Sequence, residues 1–149
     1  YSDALKFCDR PEPNSTIEAK FSLQHSVAVA LHKGGPQLAD FEEEQRENDD
    51  IAALRGRVEV CSVQRFDDSY PAHFGAELQI GDQVVLVPDA LGDPENPMGQ
   101  GQIQDKAATL LEVGGINKNE AAELVMLIQK LEGRSPAATV MQAVERVLS

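Results

Sequence analysis

The apolar and polar positions change rhythm along this chain, and the changes predict where elements begin and end. Residues 1–8, Tyr-Ser-Asp-Ala-Leu-Lys-Phe-Cys, read as a short strand already under way, with further residues expected upstream. Asp9-Arg10-Pro11-Glu12-Pro13-Asn14 predicts a turn or extended loop, because each proline fixes φ and pushes its predecessor out of the helical region. Ser15 followed three residues later by Glu18 predicts a capped helix start. That helix is expected over residues 16–33, stopping at Gly34-Gly35-Pro36, with His32 and Lys33 at the negative end of its dipole. Its second half, with Leu23, Val27, Ala28, Val29, Ala30 and Leu31, is apolar on nearly every side, which predicts a central position.

Charges from Phe41 to Asp50 are too dense to bury, so this run predicts a solvated face or loop, followed by a helical turn at Ile51–Leu54. Three strands are predicted next, over residues 57–63, 72–80 and 83–87. In the second, Phe74, Ala76, Leu78 and Ile80 alternate with Gly75, Glu77 and Gln79, the period of a sheet with one buried face. Gly81-Asp82 predicts a two-residue hairpin turn. With residues 1–8, these strands predict an α+β class: a small, mostly antiparallel sheet packed by the long helix. The breaker-rich stretch 89–97 predicts a boundary. Helices follow over residues 102–113, from Asn117 with Glu120 to Leu131, and from Ser135-Pro136 to Leu148. Ala121, Leu124, Val125 and Ile128 on one, and Val140, Val144, Val147 and Leu148 on the next, would bury each other only in part. Such a pair wants a further partner surface.

The charge balance narrows the function classes. Thirteen Lys and Arg against 25 Asp and Glu give a net charge of −12, which opposes long-range attraction to phosphate backbones and anionic membranes. Neither nucleic acid nor membrane is expected as a partner. A site for small carboxylic acids would need a local cluster of cations to override this field. Cys8 and Cys61 show no zinc-ligand spacing and no disulfide framework, which fits a reducing cytoplasm. No phosphate loop, dinucleotide fingerprint, nucleophile elbow or calcium loop is present, so no cofactor and no metal are expected.

The segment Asp9-Arg10-Pro11-Glu12-Pro13, followed by Ile17-Glu18-Ala19-Lys20-Phe21-Ser22-Leu23-Gln24-His25-Ser26-Val27-Ala28, resembles a stretch of the C-terminal half of the MmgE/PrpD family. There, a Pro-containing turn leads into E-A-K-F-S-x-x-Y/H and a run of small apolar residues. Leu38-Ala39-Asp40-Phe41, and Gly92-Asp93-Pro94-Glu95-Asn96-Pro97-Met98 with Lys106, look like further landmarks in the family's order. The resemblance implies a cytoplasmic lyase of small di- or tricarboxylic acids, in a family with 2-methylcitrate dehydratase, cis-aconitate decarboxylase and iminodisuccinate epimerase. It also implies a large helical domain and a smaller α+β lid. Residues 1–96 would be the lid, incomplete at its start, and residues 97–149 the helices returning to an N-terminal helical domain of the same protein. Most proton-transfer residues of the family would lie in segments outside this chain, leaving it inactive alone. A homodimer is expected.

Removing a proton next to a carboxylate needs a base, an acid and cations to hold the substrate. The candidates are His25 as a catalytic group and Lys20, Ser22 and Arg10 as substrate-binding groups. Ser22 and His25, three residues apart, share a helix face, with Lys20 near its shoulder. The plainer reading makes His25 an internally satisfied polar residue and Lys20 a solvated charge. An arginine in a loop, such as Arg10, more often pairs with a neighbouring acid. From a different class, the chain also reads as a non-catalytic acidic α+β interaction module that uses the apolar faces of its last helices to dimerise or to hold a partner.

Overall fold

Ser15 opens the helical core through its Oγ, which accepts from the Glu18 N–H at 3.2 Å, while the Glu18 carboxylate accepts from the Asn14 N–H at 2.7 Å. The computed structural model describes residues 1–130 and 137–148, and contact divides the chain into two units, Tyr1–Ala90 and Leu91–Ser149. The architecture is α+β, with helices dominating and one small antiparallel sheet.

In the first unit, α1 covers Ser2–Cys8, α2 Thr16–Lys20 and α3 Leu23–Lys33. A single 3-10 turn at Leu38–Phe41 leads into α4, Glu43–Arg46, and α5, Asp49–Arg55. Then come α6, Gln64–Ser69, and the strands β1, Ala76–Ile80, and β2, Gln83–Val87. Residues 1–8 are thus a helix and not the expected strand. Their half-buried positions Ala4, Leu5 and Cys8 fall at helical spacing. The start of the chain is held by the Ser2 N–H, which donates to Asp67 on α6 at 2.6 Å, and by Tyr1, stacked on Tyr70 at 4.5 Å between centroids.

The helix expected over residues 16–33 is broken at Phe21–Ser22. Ser22 leaves the helical region at φ −97°, ψ 111° and caps α3 as a new N-terminus. Ala28 and Val29 of α3 are fully buried with Ile51 of α5, and Leu54 packs against them; this is the core of the unit. The long helix therefore finds its apolar partner in α5, which grows from the expected turn at residues 51–54 into seven residues capped by Asn48. The acidic run is a largely exposed face but not a plain loop, since it supplies α4 and the first residues of α5.

β1 and β2 pair antiparallel with Ile80 opposite Gln83, so Gly81-Asp82 is the hairpin turn, with Gly81 at φ +58°. Among the described residues this is the whole sheet. Residues 57–63 contain no strand, and the second predicted strand is shorter than residues 72–80. In the hairpin only Leu78 is even half-buried.

The second unit contains α7, Gln100–Val113, α8, Lys118–Gln129, and α9, Ala137–Leu148. Asn117 caps α8 by accepting from the Glu120 N–H at 3.1 Å. Ala121 and Leu124 of α8 and Ala143 of α9 are buried, and Arg146 donates to Glu123 at 2.6 Å. Ile128 stays 53% exposed, so the mutual burial of these helices is partial. The expected cap at Ser135-Pro136 lies outside the described residues. No helix among the described residues is long and apolar enough to cross a membrane.

Candidate functional site

The break between α2 and α3 builds the most polar part of the buried interior. Ser22 Oγ accepts from the His25 N–H at 3.0 Å and donates to the Arg10 carbonyl at 2.6 Å, fastening the proline turn to the start of α3. This cap places His25 in the first turn of α3 with its ring fully buried. Its Nε2 lies 2.8 Å from the Asp40 carbonyl and its Nδ1 3.2 Å from Arg55 Nη1. A carbonyl only accepts and a guanidinium only donates, so Nε2 carries the proton and Nδ1 accepts: His25 is the neutral Nε2–H tautomer. Phe41 closes one side of the ring at 5.7 Å between centroids.

Burial holds the His25 pKa below the usual histidine value. The Asp40 carbonyl works the other way, and the positive charges of Arg55 and Arg46 add to the lowering. Asp40 itself is buried, which would raise its carboxyl. The Lys33 ammonium and the Gln37 N–H, the latter at 2.7 Å, outweigh burial and hold it below its usual range.

Gln24, also buried, spends its amide on the same turn: Oε1 accepts from the Arg10 N–H at 3.0 Å and Nε2 donates to the Asp9 carboxylate. The Arg10 side chain folds back, with Nε donating to the Phe7 carbonyl at 3.0 Å at the end of α1. Of the four residues chosen from the sequence, the structure joins Ser22, His25 and the Arg10 backbone in one network. Lys20, exposed at the end of α2, stands outside it.

An open cleft of about 550 Å³ lies beside this network, lined by Arg46 and Arg55 with Glu12, Glu43 and Glu47. Arg55 ties the two together. Its Nη1 donates to His25 and also, at 3.0 Å, to the Arg46 carbonyl. Sequence reasoning passed over both arginines, because Arg46 sits inside an acidic run that composition marks as solvated and Arg55 ends a short helix. Their only signal was that each interrupts a stretch otherwise acidic or apolar. With a guanidinium on one ring nitrogen and a carbonyl on the other, His25 has no lone pair to offer a metal ion.

A family model described as the MmgE/PrpD C-terminal domain matches residues 1–131. The chain belongs to the MmgE/PrpD family. No curated protein matches it. In this MmgE/PrpD chain the matched region takes in the whole first unit together with α7 and α8.

Proposed function

We propose that the protein carrying this chain is a lyase of small di- and tricarboxylic acids, of the 2-methylcitrate dehydratase kind. In it, this chain supplies an α+β lid and helices that return to a helical domain. The observation that carries the reading is the family match over residues 1–131, and the buried His25–Arg55 contact beside a cleft supports it. The reaction takes a proton from a carbon next to a carboxylate. The C–H electron pair becomes the new carbon–carbon double bond, and the hydroxyl leaves from the neighbouring carbon as water.

In this reading His25 handles a proton only when Arg55 releases Nδ1, since both ring nitrogens are engaged. Ser22 and the Arg10 backbone aim the histidine, and Lys20 is the exposed cation for a substrate carboxylate. The partner surfaces are the helical domain and a second copy in a homodimer. The test is to incubate the full-length protein with 2-methylcitrate and follow the conjugated alkene by ultraviolet absorbance. Turnover that collapses in His25→Phe supports both the reading and the site. Turnover unaffected by His25→Phe makes His25 a structural tie. A wild-type protein that leaves 2-methylcitrate, citrate and their dehydrated products unchanged sinks the lyase reading.

A second reading, an acidic interaction module without catalysis, is favoured by one observation: Val84, Val85, Leu86 and Val87 of β2 are all 42% or more exposed. Sizing the 149-residue chain tests its dimerising form, and a monomer at every concentration rules that form out.

A further inference from the structure

We propose that Arg46 and Arg55 form a carboxylate subsite over the outer side of His25, taking one carboxylate of a small di- or tricarboxylic acid. The choice of ligand class rests on the lyase reading above. The subsite itself rests on how the two guanidinium groups are held.

Both line the same cleft, and its volume suits a ligand of this size. Arg46 is nearly enclosed, its side chain 12% exposed, and its buried Nε has no hydrogen-bond partner among the described residues. A buried donor left without an acceptor is uncommon in a folded protein and asks for one. The ion pair Arg46 makes among the described residues is to Glu47, the next residue, at 3.5 Å, and Glu47 is 67% exposed. That contact is too long for a good charge-assisted hydrogen bond. Glu47 acts as a loose stand-in for a better-placed carboxylate.

Arg55 is held differently. Its described hydrogen bonds both leave from Nη1, to His25 and to the Arg46 carbonyl, which fixes the plane of the fork and leaves its remaining donors for a ligand. Burial, followed by the nearby charge of Arg46, makes Arg55 less able to hold its proton than an ordinary arginine, while Glu12 works in the opposite sense. Two like charges side by side are relieved by an anion placed against both. In the resting protein the His25 contact also fixes where Arg55 sits. Glu12, Glu43 and Glu47 on the same walls repel an anion, so the ligand carboxylate must take the two guanidinium groups and displace Glu47.

The test is isothermal titration of the full-length protein with tricarballylate, a tricarboxylate with no hydroxyl to lose, using wild type, Arg46→Gln, Arg46→Lys, Arg55→Gln and Glu47→Gln. Arg46→Gln and Arg55→Gln are expected to weaken binding by about tenfold or more, with Arg46→Lys failing to restore it. Glu47→Gln should tighten it about two- to fivefold by removing the competitor. The Arg46 carbonyl that holds Arg55 is backbone, so Arg46→Gln leaves that tie in place; a thermal melt checks that the variant is folded. If wild type binds and Arg46→Gln and Arg55→Gln bind equally well, the subsite is wrong while the polycarboxylate reading stands. If wild type does not bind tricarballylate, the subsite falls together with that reading.

Discussion

His25 is the residue on which stability and chemistry meet. Its folded pKa is lowered, so the unfolded chain binds the proton more readily than the folded one does. The stability linked to the neutral ring is complete above about pH 6.5 and is lost as pH falls through that value towards the lower folded pKa. Asp40, also lowered, adds a second loss that begins near its ordinary value of 3.8. Urea unfolding of the chain should show a falling midpoint between about pH 7 and pH 5, a window set by the ordinary histidine value. His25→Gln should flatten that slope and cost about 1–3 kcal/mol at neutral pH, as a buried donor or acceptor loses its partner. An unchanged slope in the variant would assign the titration to another group. The sequence put Ser22 and His25 on one face with Lys20 at its shoulder; in the structure Ser22 and His25 meet the Arg10 backbone, and Lys20 stands outside. The plainer reading of His25 as an internally satisfied residue fits the buried ring, but the groups that satisfy it, the Asp40 carbonyl and Arg55, lie 15 and 30 residues away and were not legible.

At the scale of elements, local chemistry was readable and distant partnership was not. Ser15 and Asn117 cap helices as their spacing announces, and Gly81-Asp82 turns the hairpin. The break at Ser22 carried a readable cap signal as well, overshadowed by apolar periodicity that runs through it. Residues 57–63 keep their alternation, with Val58 and Val60 half-buried, but a strand needs a partner that alternation alone cannot supply. The hairpin is anchored at its base. A Cβ on Gly75 would lie 2.8 Å from the Pro88 carbonyl oxygen and 3.0 Å from the Phe66 ring, so the backbone there fits only glycine. Gly75→Ala should cost about 1–3 kcal/mol through forced shifts in a packed site. Thermal melting measures it, and a loss within error would show that Phe66 swings aside freely.

Over the whole molecule, charge acts where packing is thin. A net charge of −12 on 149 residues sets the folded chain against itself, and the acidic groups concentrate around α4 and α5. Raising sodium chloride from about 10 mM to about 300 mM shortens the range of that repulsion and should raise the melting temperature. A fall would mean that ion pairs such as Lys33–Asp40 and Arg146–Glu123 outweigh the repulsion. The division into Tyr1–Ala90 and Leu91–Ser149 lies within the breaker-rich residues 89–97. What composition hides is how much apolar surface each unit leaves uncovered, including Ile103, Leu110 and Val113 on α7 and Met126 on α8.

Asp40 closes a circuit that Gly34-Gly35-Pro36 would otherwise leave open. Its carboxylate holds Lys33 before the glycines and the Gln37 N–H after them, and its carbonyl holds the His25 ring. The segment thus behaves as a buckle, with the pliable residues forming the strap and a single acid the pin. Removing the pin would free Lys33 and the Gln37 N–H directly, while the carbonyl that holds the imidazole is backbone and would stay, moved only as far as the strap moves.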